Sequence, residues 1–145
     1  MPSKATPQGT LSYTYDKTGN VASVLSSNAN GTNVAYAWDA NNRLLNVTDN
    51  RTTGVTSYTY DATNQMASML YPNGVTHGFG FDNRDRTTSL NVTGPAGVLA
   101  SYSQNYSFSG HKQSVMEGSG RSANYTYDPI YRLTNEAIAG DPGGC

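Results

Sequence analysis

Close copies of one nine-residue skeleton run along this sequence, and they constrain its fold more than any other feature. The clearest copy is Tyr58-Thr59-Tyr60-Asp61-Ala62-Thr63-Asn64-Gln65-Met66. It is matched by Tyr13-Thr14-Tyr15-Asp16-Lys17-Thr18-Gly19-Asn20-Val21 and by Tyr36-Ala37-Trp38-Asp39-Ala40-Asn41-Asn42-Arg43-Leu44. Phe79-Gly80-Phe81-Asp82-Asn83-Arg84-Asp85-Arg86-Thr87 and Tyr125-Thr126-Tyr127-Asp128-Pro129-Ile130-Tyr131-Arg132-Leu133 repeat it again. A worn copy reads Tyr106-Ser107-Phe108-Ser109, with Ser109 in the aspartate's place. The aspartate positions then recur after 23, 22, 21, 27 and 19 residues. So regular a period is the mark of one supersecondary unit stacked on the next.

Each unit reads as a β-hairpin. Aromatics two apart (Tyr13/Tyr15, Tyr36/Trp38, Tyr58/Tyr60, Phe79/Phe81, Tyr125/Tyr127) share one face of a strand. The aspartate that follows opens a turn, because its carboxylate accepts a hydrogen bond from the backbone two residues on. Three residues after it stand Gly19, Asn42, Asn64 and Asp85, residue types that tolerate a left-handed backbone. A type I turn closed by such a residue is a common hairpin connection. Tyr131, and in the worn copy Lys112, depart from this pattern. Apolar residues resume at Val21, Leu44 and Met66 and give the returning strand.

Asn30-Gly31, Thr53-Gly54, Asn73-Gly74, Ala96-Gly97 and Ser119-Gly120 supply a second set of turns between hairpins. Gly97 stands further from its aspartate position than the others, which implies an insertion around Gly94-Pro95-Ala96-Gly97. The reading is all-β: one domain over 1–145 with six hairpin units, near 10–31, 32–54, 55–74, 75–97, 98–120 and 121–140. They form a curved antiparallel sheet of about twelve strands, as an open coil or partial shell. No stretch has the spacing and caps of a helix.

Composition bears on function mainly by exclusion. Charged residues are 13% of the chain and the net charge is −1, which argues against a nucleic-acid or anionic-membrane surface. No apolar run is long enough for a spanning helix, and Met1-Pro2-Ser3-Lys4-Ala5 lacks a signal peptide's apolar middle. Cys145 is the single cysteine, so no disulfide forms within the chain. Asp16, Asp39, Asp61, Asp82 and Asp128 invite comparison with calcium ligands. Each loop supplies one carboxylate, however, where calcium takes six to eight oxygens, and a turn-capping role explains the period without a metal. His77 and His111 lack metal-site spacing, and no Gly-x-Ser-x-Gly elbow supports a nucleophile. The chain is therefore read as non-catalytic, with no cofactor. Asn30, Asn46, Asn50, Asn91, Asn105 and Asn124 each head an Asn-x-Ser/Thr acceptor for N-glycosylation.

The Tyr-x-Tyr-Asp-x-x-Gly-Arg-Leu skeleton behind these copies resembles the YD repeat of the RHS-repeat family. The resemblance rests on Tyr13–Val21, Tyr36–Leu44, Tyr58–Met66 and Tyr125–Leu133, with Phe79–Thr87 as a variant, and spans roughly residues 10 to 138. It implies hairpins coiled side by side, as in the shells of bacterial RHS-type proteins and of teneurin-like surface proteins. It also implies a secreted or cell-surface location and non-catalytic repeats. Asp141-Pro142-Gly143-Gly144 fits the family's Asp-Pro-x-Gly cleavage signature in those four positions.

Six units are too few to close a shell. The expected sheet has two open edges, near residues 10–16 and 132–138, and open edges join other strands. Two roles follow: a structural protein whose subunits join end to end into a filament or form part of an RHS-type shell, or a carbohydrate-binding or adhesion module using Trp38 and exposed tyrosines.

Overall fold

The computed structural model describes residues 3–140. The strands run in chain order as β1 (Ser3–Thr6), β2 (Gly9–Tyr15), β3 (Val21–Ser26), β4 (Asn33–Trp38), β5 (Leu44–Asp49), β6 (Gly54–Tyr60) and β7 (Met66–Leu70). They continue as β8 (Thr76–Phe81), β9 (Thr87–Gly94), β10 (Gly97–Tyr106), β11 (Lys112–Glu117), β12 (Ser122–Tyr127) and β13 (Leu133–Ala139). Every strand pairs antiparallel with its sequence neighbours, in the order β1 through β13. The described residues form one open sheet with no helix. Asp141-Pro142-Gly143-Gly144 and Cys145 lie outside the described residues.

The register follows from the period-two alternation. Tyr13 faces Val24, Tyr36 faces Val47, Tyr58 faces Met69 and Phe79 faces Leu90. Aromatic and branched side chains thus pair across strands on one face, the contact that stabilises antiparallel sheets. Ser, Thr, Asn and Gly take the other face, as at Thr14 against Ser23 and Gly78 against Asn91. No second layer of described residues covers either face. Ala123, 3% exposed, is the only buried core residue among those described. The surface of 9505 Å² exceeds the roughly 7,200 Å² expected for a globular chain of this mass, so burial here lies between adjacent strands.

The aspartate turns share one backbone. Asp16 N–H donates to Asn20 O (2.9 Å) and Gly19 N–H to Asp16 O (3.3 Å), and the turns at Asp39, Asp61, Asp82 and Asp128 repeat both bonds. Gly19, Asn42, Asn64 and Asp85 occupy the left-handed position at φ 91, 58, 69 and 61°. Tyr131, which departs from the sequence pattern, takes the same conformation at φ 68°.

Three sequence expectations need correction. Thirteen strands are present, because β1 adds a strand to the expected twelve. Its pairing with Gly9–Ser12 covers the edge expected to be open near 10–16, so the two open edges of the sheet are β1 and β13. In the fifth unit Ser107, not Ser109, stands in the aspartate's place. Ser107 N–H bonds His111 O (2.8 Å), Gly110 N–H bonds Ser107 O (3.0 Å), and Gly110 takes the left-handed position at φ 97°. The two positions of the aromatic pair are thus held by Gln104 and Tyr106, and Lys112 pairs with Tyr106 in the returning strand. The extra residues near Gly97 lie in β9 and β10, which are eight and ten residues long.

A β carbon added at Gly19 meets nothing within 4 Å, so Gly19→Val isolates the backbone term and should cost about 1–2 kcal/mol. Thr53, β-branched and exposed at φ 57°, should behave oppositely. Thr53→Asn is expected to stabilise by about 0.5–1 kcal/mol. Urea unfolding midpoints measure both effects.

Candidate functional site

The side chains that join one repeat to the next are concentrated along the aspartate-turn end of the sheet. Each aspartate is first committed to its own turn. Asp61 Oδ1 accepts from the N–H of Thr63 (2.8 Å) and of Gln65 (2.9 Å), and Asp16, Asp39, Asp82 and Asp128 accept the equivalent pair. In three turns an arginine four residues on adds a charged bond. Arg43 Nε donates to Asp39, Arg86 Nε to Asp82 and Arg132 Nε to Asp128, each at 2.7 Å. These donors keep the carboxylates ionised. The Arg86 side chain, ahead of the turn amides, draws Asp82 down to about 2. The backbone N–H of Arg43 is the main cause for Asp39, and that of Arg132 for Asp128. Thr63 leads for Asp61, while at Asp16 desolvation opposes a net lowering by Thr18 and Asn20. On the opposite end of the sheet, Arg51 draws Asp49 to about 2.

The residue four after the first residue of each turn, Arg132 excepted, also reaches the following turn. Asn20 Nδ2 donates to Asn42 Oδ1 (2.8 Å), Arg43 Nη1 to Asn64 Oδ1 (2.8 Å) and Gln65 Nε2 to Asp85 Oδ1 (2.9 Å). Arg86 Nη1 donates to Ser107 O (3.1 Å), and His111 stacks on Tyr131 with centroids 4.6 Å apart and planes at 9°. The second aromatic of each hairpin returns a bond to the repeat before it. Trp38 Nε1 donates to Val21 O (2.8 Å), and the hydroxyls of Tyr60, Tyr106 and Tyr127 donate to Leu44 O, Thr87 O and Lys112 O. The Arg43 guanidinium lies 4.5 Å from the Tyr60 ring centre and that of Arg86 4.6 Å from Tyr106, at cation–π range. Phe81 has no group to donate, and no hydrogen bond reaches the Tyr15 hydroxyl from the described residues. Tyr15 begins the series, with no aspartate turn before it.

The structure gathers Tyr15, Asp16 and Gly19, Trp38 and Asp39, Tyr60 and Asp61, Phe81 and Asp82, and Tyr127 and Asp128 along this end of the sheet. Tyr13, Tyr36, Tyr58, Phe79 and Tyr125 lie further in on the aromatic strand face. Asn46, Asn91, Asn105 and Asn124 stand on the small-residue face, and Asn30 and Asn50 lie in the connecting turns. Ser109 Oγ lies 3.1 Å from His111 Nδ1 in a groove shared with Asp128, but the Asp128 oxygens are held by Arg132 and two backbone amides. No group of three or more metal-ligating side chains occurs among the described residues. No described helix is long and apolar enough to cross a membrane. Sequence reading missed Asn20, Arg43, Gln65, Arg86 and Arg132, whose one shared signal is a long polar side chain just before the returning strand.

The comparisons agree with this geometry. Residues 15–53 and 38–76 match the family described as RHS Repeat. Among solved structures, the crystal structure of TcdB2-TccC3-Cdc42 superposes with a TM-score of 0.69 at 20% identity, over 86% of this chain and 7% of that one. TcdB2-TccC3 without its hypervariable C-terminal region gives 0.69 at 21% identity, over 86% and 7%. The Tc holotoxin pore of Photorhabdus luminescens gives 0.68 at 20%, over 86% and 6%. This chain thus spans about 7% of the length of the structures it resembles, and at such identity the likeness shows fold alone. No curated protein matches the sequence.

The lowered aspartates set the response to acid. Because their folded values lie below the ordinary 3.8, their contribution is present above about pH 4 and is lost as pH falls toward 2, the value at Asp82. The urea midpoint should be flat between pH 5 and 7 and fall steeply from pH 4 to 2. An unchanged midpoint over that lower range would contradict the turn-locking role.

Proposed function

With RHS repeats established over residues 15–76, we propose that this chain is a non-catalytic structural segment, a stretch of RHS-type wall that continues end to end through its open sheet edge. The carrying observation is that the sheet is open, with its longer free edge at β13. β13 is exposed along its whole length and pairs on one side only, as does β1, a strand of four residues that covers β2. An unpaired strand edge is a template for another strand. The shell reading is supported by likeness to the TcdB2-TccC3 structures, and a secreted or cell-surface location accompanies it.

Filament growth from identical copies is the other way to cover the β13 edge, and β1 opposes it by leaving an edge of only four residues at the other end of the sheet. Among the rings expected to bind sugars, Trp38 and Tyr60 spend their polar atoms on neighbouring repeats, so the wall role ranks above carbohydrate binding.

Removing residues 1–8 tests whether the ends join. The full chain should remain monomeric in light scattering at concentrations where the shortened chain grows into end-to-end polymers visible by negative-stain electron microscopy. A shortened chain that stays monomeric at every concentration would count against joining through sheet edges.

A further inference from the structure

Arg132 repeats the first half of a contact that two earlier arginines complete. Arg43 and Arg86 each hold their own aspartate through Nε, lie over the next hairpin's second aromatic ring, and donate Nη1 to the next turn. Arg132 holds Asp128 through Nε at the same 2.7 Å, yet its other nitrogens meet no acceptor among the described residues. Its side chain is 75% exposed, against 26% for Arg43 and 24% for Arg86. Leu133 stands five residues after its aspartate, where Leu44 and Thr87 offer a carbonyl to the next tyrosine hydroxyl.

We propose that Arg132 and the β13 edge form a socket for one further Tyr-Asp hairpin, its second aromatic ring against the guanidinium and its turn supplying the oxygen that accepts from Nη1. This rests on the wall reading above and names the partner of its open end. The internal seams define the fit: an aromatic immediately before the aspartate, and either an Asn or Asp three residues after it or a free backbone carbonyl in that turn. A planar guanidinium meets both ring and acceptor at once, which an ammonium does not.

A second copy of the chain is the poorer occupant because of β1. At the β5–β6 seam, Asn46, Val47, Thr48 and Asp49 pair with Ser57, Thr56, Val55 and Gly54. The equivalent positions of the first hairpin are Ser12, Leu11, Thr10 and Gly9, and these four are the residues that β1 pairs with. β1 thus sits where the β13 of another copy would have to lie.

The test uses a fluorescently labelled, cyclised peptide of residues 54–71, this chain's own hairpin with Asn64 at the turn. The peptide is shown by circular dichroism to hold a hairpin before it is titrated with the full-length chain and read by anisotropy. Saturable binding is expected. Arg132→Ala in the chain, or Asn64→Gly in the peptide, should each weaken it about tenfold, and the two together no more than either alone. The peptide variant leaves the chain intact, so it separates a lost contact from a loosened last turn. Saturable binding indifferent to both substitutions would overturn the socket and leave edge joining standing. Absence of saturable binding would overturn the socket and the wall reading together.

Discussion

A single-layer sheet has no common core, so each hairpin gains its burial from the hairpins beside it. Every other feature of this structure answers that constraint. The aromatic face pairs Tyr with Val or Met across strands, and the turn end of the sheet adds a polar bond or a ring stack at each seam between repeats. Stability in such an array is a sum of unit terms and nearest-neighbour terms. A unit with a neighbour on only one side lacks one of those terms.

The aspartate turn serves twice in this scheme. It closes its own hairpin by gathering two amides, and in doing so it fixes where the side chain four residues later begins. From there that side chain reaches the adjacent turn. Asn, Arg, Gln and His all fill the position, and an oxygen or a ring of the adjacent turn receives each of them. The chemistry tolerates substitution because the geometry is set by the backbone of the turn rather than by the reaching group. At Arg132 that reach meets no acceptor among the described residues.

Local signals made the hairpins legible. An aromatic pair, an aspartate and a residue fit for the left-handed region lie within seven positions, and together they specify a turn whatever surrounds them. The fifth unit misled because Tyr106 and Phe108 imitate the aromatic pair, while the backbone follows Gly110, the residue that can adopt the left-handed conformation without a steric cost. β1 was not legible, since Ser3-Lys4-Ala5-Thr6 has no apolar alternation and becomes a strand only because β2 offers an edge. The side chains that reach the adjacent turn were invisible for a related reason. Their partners lie about one repeat away, and nothing in the nine-residue skeleton says which side chains will face each other across a seam.

Native-state amide exchange tests most directly the claim that the sheet is held together neighbour by neighbour. Protection should be greatest in β5 to β9, which have repeats on both sides, and should decline strand by strand toward β13. Equal protection of β13 and β7 would contradict the account, because it would mean that the sheet opens as one unit or that its free edge is covered.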